Sequence, residues 1–214
     1  MTLLFIVLPL GAYLLGSISF AYICGKLKGI DLREHGSGNL GATNAGRVLG
    51  GRWFALVMIL DILKGVIPLV LARVLPGALG FETEVVEHQV LQIAAGAGAI
   101  LGHVFTLFHR FRGGKAVATS LGVLIGLLPL LAGIVAATWV TIWAIGTFIF
   151  KAKRSAAVGP ASVLAACLTP VYWYFLVSDP FGADTRILTA FVALLCILVI
   201  IRHRSNIKAM FVKG

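Results

Sequence analysis

Long apolar runs separated by short polar clusters extend along the whole chain. Hydrophobic residues make up 59% of its 214 residues and charged residues 12%, whereas charged residues make up about a quarter of a typical soluble domain. An apolar run of roughly 17–25 residues is long enough to cross a bilayer as a helix. The pattern therefore predicts an all-α integral membrane protein, with residues 1–214 forming a single polytopic membrane domain.

Seven runs meet or approach this length. They are about 2–24, 53–75, 88–108, 117–131, 133–150, 157–177 and 185–202. The first run lacks a basic residue before it and a small-residue cleavage site, so we interpret it as an uncleaved span. From Ala116 to Phe150 the chain stays apolar and is too long for one upright helix, so we expect two short spans that turn near Pro129.

Basic residues predict how the chain is oriented. Two basic clusters, residues 110–115 and 151–154, flank the long apolar run, and the positive-inside rule places both in the cytoplasm. Seven spans with the N-terminus outside and the C-terminus inside satisfy this rule, leaving only Arg73 and Arg186 outside. The other predicted cytoplasmic basic residues are Lys26, Lys28, Arg33, Arg47, Arg52, Arg202, Arg204, Lys208 and Lys213.

The first cytoplasmic segment contains GSGNLGATNAGR, residues 36–47. Glycine lets backbone N–H groups approach an anion closely, and a guanidinium holds phosphate oxygens in pairs. The polar side chains that add donors are Ser37, Asn39, Thr43, Asn44 and Arg47. A flexible linker would also be rich in glycine, but it has no need of two Asn, Thr and Arg set so closely. We interpret this segment as an anion-binding site.

The second segment, GHVFTLFHRFRGGKAVATS, contains two glycines and a lysine just before a predicted helix. Ala116 occupies the position where a phosphate-binding P-loop requires Ser or Thr, so nucleotide hydrolysis is disfavoured. Two interpretations remain open. Gly113, Gly114 and Lys115 form a second anion site at a helix N-terminus, or they form a basic membrane anchor with a glycine hinge.

Two further pairs of polar residues stand out. His203 and Asn206, in HRSNIK, share one helical face if the last span continues through them. His203 is open to interpretation as a general base, a phosphate donor or an interfacial residue. Asp61 and Lys64 lie three residues apart inside the second span, where ionisable groups require partners. They form either a structural pair or part of the site.

Carboxylates are scarce on the predicted cytoplasmic face, where only Asp31 and Glu34 occur. They are too few for a carboxylate-held metal cluster, so we expect neither a metal nor a cofactor. The chain also lacks a Gly-x-Ser-x-Gly elbow and a His-x4-Asp arrangement. Its net charge of +10 suits anionic lipid headgroups, and we expect no nucleic-acid partner.

The three segments GSGNLGATNAGR, GHVFTLFHRFRGGKAVAT and HRSNIK resemble the motifs of the bacterial acyl-phosphate-dependent glycerol-3-phosphate acyltransferases, the PlsY family. DILKG in the second span, the chain length and the predicted layout are also similar to that family. The resemblance implies transfer of a fatty acyl group from acyl phosphate to the 1-hydroxyl of glycerol 3-phosphate, giving lysophosphatidic acid and phosphate. It implies an enzyme of the bacterial cytoplasmic membrane whose partners are these substrates and membrane lipids, with no obligate protein partner.

Residue roles follow from the same resemblance. Phosphate and glycerol hydroxyls are expected to contact Ser37, Asn39, Thr43, Asn44, Arg47, Gly113, Gly114, Lys115, His203 and Asn206. Ser37, Lys115, His203 and Asn206 are the expected catalytic residues, with proton transfer assisted by His203 or by the phosphate leaving group. The family usually has proline at the position of Thr106, and it often has a serine-rich stretch near Ser155.

Two other functions are weighed against this one. A transporter of phosphorylated small anions would require polar groups at mid-membrane depth and repeat symmetry, and only Asp61 and Lys64 lie at that depth. An acyltransferase that uses acyl-CoA or acyl carrier protein is separated from this reading only by the family resemblance.

Overall fold

A computed structural model of the chain describes the backbone of residues 1–82 and 84–211 and side chains up to residue 208. Lys213, assigned above to the cytoplasmic tail, lies outside the described residues. The described residues are helical and contain no strand, which confirms the all-α class. They form α1 (Leu4–Ser17), α2 (Phe20–Leu27), α3 (Ala42–Leu49), α4 (Gly51–Ala78), α5 (Val85–Val104), α6 (Val117–Leu127), α7 (Pro129–Ala144), α8 (Arg154–Leu176), α9 (Arg186–Arg202) and α10 (Arg204–Phe211).

Within residues 1–82 and 84–211, five helical segments are long and apolar enough to cross a membrane. They are Leu4–Leu27, Gly51–Ala78, Val85–His109, Pro129–Ile149 and Arg154–Leu176. Two of the predicted spans correspond to shorter helices, α6 with 11 residues and α9 with 17. The number of crossings and the orientation of the termini therefore stay predictions.

A helix boundary separates the two halves of the long apolar run. Helix α6 ends at Leu127 and α7 begins at Pro129. Proline is tolerated at the first position of a helix because its missing N–H would have no partner there. This confirms the predicted break near Pro129.

The chain divides into two compact units, Met1–Leu127 and the residues from Leu128 onward. In the first unit, glycines let the helices approach closely. Side chains at Gly98 and Gly102 of α5 would meet the carbonyl oxygens of Pro9 and Tyr13 on α1. Close approach at small residues is a main source of helix association in membranes.

The second unit is organised around α8. Trp139 of α7 donates a hydrogen bond from Nε1 to Ser162 Oγ at 3.0 Å, and Trp173 donates to Thr189 Oγ1 of α9 at 2.8 Å. Buried indole N–H groups require such partners. These bonds fix α8 against both neighbours, and α10 also packs on α8.

Candidate active site

The loop between α2 and α3 is held together by Asn44, which is fully buried at the start of α3. Its Oδ1 accepts a hydrogen bond from the Ser37 N–H at 2.8 Å. Its Nδ2 donates to the carbonyl oxygens of Leu32 and His35, both at 3.0 Å. The sequence predicts that Asn44 contacts substrate, whereas its side-chain amide is hydrogen-bonded to the loop backbone. In this structure Asn44 shapes the loop.

The other polar side chains of this loop lie nearer to solvent. Ser37 and Arg47 are exposed, and Asn39 and Thr43 are half-buried. Arg47 lies in the last turn of α3. Their exposure suits contact with a soluble anion, and that contact stays a prediction.

Asp31, at the start of the same loop, forms ion pairs with two basic side chains. Arg33 binds Asp31 through Nε to Oδ1 at 2.9 Å and Nη2 to Oδ2 at 2.6 Å, and Lys26 Nζ lies 3.2 Å from Oδ2. The hydrogen bonds from Arg33 hold the pKa of Asp31 well below its ordinary value. Asp31 is therefore ionised. Its negative charge is balanced by Arg33 and Lys26, so it does not repel an anion at this loop. Arg33 also lies over the ring of Tyr22, which contacts His109 of the second segment at 4.5 Å between ring centroids.

The backbone of the Gly113–Gly114 loop is hydrogen-bonded to the C-terminal end of α5. The Gly113 N–H donates to Val104 O and the Gly114 N–H donates to His103 O, both at 3.0 Å. A side chain at Gly113 would meet the His103 carbonyl oxygen, and one at Gly114 would meet His103 Nε2. Both amides are thus used within the protein, which differs from the expectation that they bind an anion. What glycine provides here is space for this close approach.

Lys115 follows this loop directly and is half-buried. Ala116 comes next with φ of 57°, and α6 begins at Val117. The predicted helix after the glycines is therefore present, and the loop determines where Lys115 leaves the backbone.

A small cleft in the first unit has both glycine-rich segments in its wall. Leu40 comes from the first segment, and Gly113 and Gly114 come from the second. The remaining lining residues are Gly16, Ser17, Ile18, Ser19, Lys64, His103 and Thr106. The structure thus places Leu40 of the first motif beside the second motif, and of the predicted site residues this lining includes Gly113 and Gly114.

Two features of this cleft were not recognised from the sequence. Thr106 occupies the usual proline position, and its buried Oγ1 donates to Ser17 O at 2.5 Å. The Leu107 N–H donates to Ser17 Oγ at 3.3 Å. Asp61 and Lys64 do form the expected ion pair, at 2.9 Å, but a third partner from another helix, His103, joins it. Neither the hydrogen bonds to Ser17 nor the contact between Lys64 and His103 could be predicted from the spacing of these residues in the sequence.

His203 is buried in the second unit. Its Nδ1 lies 2.7 Å from Val199 O. A carbonyl oxygen only accepts, so Nδ1 donates, and the neutral ring then has its unprotonated nitrogen at Nε2. This is the tautomer that a general base requires.

A single residue, His203, lies between α9 and α10. The His203 N–H donates to Val199 O at 3.1 Å, and the Ile207 N–H donates to His203 O at 2.9 Å. The helix is interrupted at His203, the C-cap of α9 with φ of −97° and ψ of 10°, and the placement of His203 and Asn206 on one face stays a prediction. Asn206 lies against Gly159 of α8, where a side chain would meet its Nδ2. Ser155 lies nearby in sequence, in the first turn of α8.

The family model for glycerol-3-phosphate acyltransferase matches residues 6–213, nearly the whole chain. The chain belongs to the glycerol-3-phosphate acyltransferase family. A relative of that name from Bacillus subtilis is 46% identical over 203 residues, covering 94% of this chain and 91% of the relative. One from Bacillus velezensis is 45% identical over 204 residues, with the same 94% and 91% coverage.

Solved structures agree with this family. The chain is similar to the crystal structure of PlsY (YgiH), an integral membrane glycerol 3-phosphate acyltransferase, in its glycerol 3-phosphate form. The TM-score is 0.76 at 34% identity, covering 96% of this chain and 91% of that chain. The lysophosphatidic acid form gives a TM-score of 0.74 with the same identity and coverage. Together with the apolar helices, this family membership makes the chain a multi-pass membrane protein.

Proposed function

We propose that this acyltransferase moves a fatty acyl group from acyl phosphate to the sn-1 hydroxyl of glycerol 3-phosphate, giving lysophosphatidic acid and phosphate, the first step of phospholipid synthesis. The observation that carries the proposal is the cleft of the first unit in which Leu40 of the first glycine-rich segment meets Gly113 and Gly114 of the second. Family membership supports the acceptor. The donor is supported by the resemblance of the three motifs to acyl-phosphate-dependent enzymes.

The reaction requires little beyond positioning and electrostatics. The acceptor hydroxyl oxygen attacks the acyl carbonyl carbon, a new ester C–O bond forms, and the bond from the acyl carbon to the phosphate oxygen breaks. Phosphate leaves with the bonding electrons, so cationic groups that face it lower the barrier. Lys115 and Arg47 are the cations that we assign to the phosphates.

The hydroxyl proton requires an acceptor. We assign it to His203 Nε2, because the Nδ1 hydrogen bond to Val199 O leaves that nitrogen unprotonated in the neutral ring. The leaving phosphate is the alternative acceptor. We assign Asn206 to orienting the acceptor, and Ser37, Asn39 and Thr43 to holding phosphate or glycerol hydroxyls.

Asn44, Gly113 and Gly114 receive a more limited assignment. Their amide groups bind the protein backbone, so they support the site by holding the two loops in shape. Direct substrate contact through the remaining surface of the glycines stays part of the proposal.

We further propose seven crossings in the bacterial inner membrane, with the N-terminus outside and the active site cytoplasmic. The asymmetric distribution of basic residues supports this orientation. It is tested by single cysteines in a background without the three native ones. A membrane-impermeant maleimide added to intact cells should label Asp184→Cys and spare Lys153→Cys, and the opposite result would reverse the topology.

A donor assay tests the chemistry. Purified protein is given glycerol 3-phosphate with either palmitoyl phosphate or palmitoyl-CoA, without added metal. We expect lysophosphatidic acid from the acyl phosphate. Product from the CoA ester alone would contradict the donor assignment, and no product from either would contradict the function.

The role of Lys115 is tested in the same assay. Lys115→Ala should lower turnover at least about 100-fold, as expected for loss of a charge on the transition-state phosphate. Lys153→Ala, which removes an exposed lysine before α8, is the matched control and should retain wild-type turnover. Wild-type rates in Lys115→Ala would remove Lys115 from the site.

A further inference from the structure

The ammonium group of Lys64 is buried among four partners, with 2% of the side chain exposed. Nζ lies 3.1 Å from Gly16 O, 2.8 Å from Ile18 O, 2.9 Å from Asp61 Oδ1 and 3.1 Å from His103 Nδ1. The first two are carbonyl oxygens at the C-terminal end of α1, where helical carbonyls lack intrahelical partners and a cation is favoured. Lys64 therefore connects α1, α4 and α5 at one point.

This geometry determines which nitrogen of His103 carries the proton. A lysine ammonium has no acceptor, so His103 Nδ1, 3.1 Å from Nζ, pairs with it as the acceptor, and the three N–H groups are shared among the four partners. The neutral ring then has its hydrogen on Nε2. Asp61 Oδ1 balances the ammonium charge, but it lies 3.8 Å from His103 Nδ1, beyond hydrogen-bond distance.

The opposite side of the same ring faces the glycine loop. His103 Nε2 lies where a side chain at Gly114 would be, and the His103 carbonyl oxygen accepts from the Gly114 N–H. His103 therefore contacts the loop through both its ring and its backbone. The next residue after Gly114 is Lys115.

We infer that the buried Asp61–Lys64 pair is a positioning device, which fixes His103 as the neutral Nε2–H tautomer and so holds the Gly113–Gly114 loop and Lys115 in place. His103, Asp61 and Lys64 are positioning residues that act through the loop. The link to turnover rests on the proposed function of Lys115, whereas the tautomer and the position of the loop do not.

A simple brace between helices would behave differently. If the pair only held α1 against α4, every substitution in the cluster would lower stability and activity together, and the protonation of His103 would be immaterial. Positioning through His103 predicts effects on the ring and loop that separate from thermal stability.

The tautomer is measured directly on the full-length protein in detergent micelles, with 15N-labelled histidine at neutral pH. The His103 signals are assigned by their loss in His103→Gln. We expect a protonated Nε2 and an unprotonated Nδ1, and an unchanged spectrum in the control His88→Gln apart from the loss of His88 itself. A protonated Nδ1 in the wild type would overturn the inference.

The coupling to the loop is measured in Asp61→Leu/Lys64→Met. Replacing both members of a buried pair by apolar residues of similar size often preserves folding, whereas removing one leaves an unpaired charge. We expect a mixture of His103 tautomers and at least about tenfold faster amide exchange in residues 105–116, with protection of α4 retained. Unchanged exchange in that segment would overturn the positioning role.

The turnover of two variants distinguishes the role of Nε2 of His103 from that of Nδ1. Gln at position 103 keeps an N–H near the place of Nε2, whereas the shorter Asn reaches only the place of Nδ1. We expect kcat of His103→Asn to fall roughly tenfold further than that of His103→Gln, because Asn leaves an unfilled space beside Gly114, at matched thermal stability. Equal losses in both would overturn the role of the Nε2–H group. A wild type inactive on acyl phosphate would instead contradict the proposed function, and the spectrum and the exchange rates would still decide this inference.

Discussion

Asn44 Oδ1 lies 2.8 Å from the backbone nitrogen of Ser37, a residue seven positions earlier that we place at the phosphate site. With the bonds from Nδ2 to Leu32 O and His35 O, one buried amide spans the loop that presents Ser37. The loop is therefore ordered from inside by Asn44, and its exposed side chains are the ones that we propose for ligand binding. This division separates residues whose loss unfolds the loop from residues whose loss only weakens catalysis.

Asn44→Ala should lower the free energy of unfolding by about 2–4 kcal/mol, because three hydrogen bonds are lost and the buried Leu32 carbonyl oxygen is left without this donor. Thr43→Ala, at the half-buried neighbouring position, is the matched control and should change stability by less than about 0.5 kcal/mol. Thermal unfolding in detergent measures both. Equal midpoints for the two variants would contradict the structural role of Asn44.

Gly36→Ala should be more harmful than Gly29→Ala. Both glycines have positive φ, 64° and 70°, so both substitutions carry the cost of a left-handed alanine, about 1–2 kcal/mol. A side chain at Gly36 would also meet Asn44 Oδ1, whereas the space around Gly29 is open. The difference in thermal midpoint between the two variants isolates that clash, and a difference of zero would refute it.

The helices and one ion pair could be predicted from the sequence because their signals are local. Hydropathy identified the apolar helices, and the three-residue spacing of Asp61 and Lys64 placed them together on α4. His103 was not recognised as their partner, because it lies 39 residues further along the chain on another helix. The break between α1 and α2 was also missed. It lies in an apolar run, and only the Ser19 cap and the carbonyls bound by Lys64 explain it.

The glycines of the second segment show a different limit of the sequence. A Gly-Gly-Lys run permits either exposed amides or a close approach of two backbones, and composition does not distinguish them. The structure uses the close approach, with Gly113 and Gly114 bonded to the end of α5. Their place at the site was indicated by the motif, but their physical role depended on the position of α5.

Gly65→Ala should force α4 and α6 apart. A side chain at Gly65 would meet Thr119 O, and no flexible group is there to move aside. Overpacking of this kind costs about 1–3 kcal/mol. Gly77→Ala, in the same helix but with open space around it, should be neutral or slightly stabilising because alanine favours helices. A Gly65→Ala variant with the thermal midpoint of Gly77→Ala would contradict the close packing of these helices.

Thr106→Val should destabilise the protein by about 1 kcal/mol, because the bond from Oγ1 to the buried Ser17 O is lost while the shape is kept. Thr106→Pro should do no worse, since the φ of Thr106 is −61° and proline prefers about −65°. Thermal unfolding of both variants measures this. A proline variant much less stable than the valine variant would show that the backbone here is not already suited to the proline of the family motif.

The variant His203→Asn tests the proposed role of Nε2 as a proton acceptor while keeping a donor to Val199 O at the place of Nδ1. The Asn side chain can still donate to Val199 O, as His203 Nδ1 does at 2.7 Å, but it has no group at the place of Nε2. If His203 takes the acceptor proton, kcat should fall about 10²–10⁴-fold at an unchanged thermal midpoint. The measurement is the initial rate with saturating glycerol 3-phosphate and palmitoyl phosphate. His109→Asn, a change to a half-buried histidine of the first unit, is the matched control and should keep kcat within roughly threefold of wild type.

A small effect would also be informative about the proton. A fall of less than about tenfold in kcat of His203→Asn would favour the leaving phosphate as the proton acceptor, with His203 in a positioning role. His203→Ala then becomes the decisive comparison, because it removes the bond to Val199 O as well. A base at Nε2 predicts nearly equal turnover losses for Asn and Ala, since both lack it. Positioning through Nδ1 predicts that Ala is clearly worse than Asn.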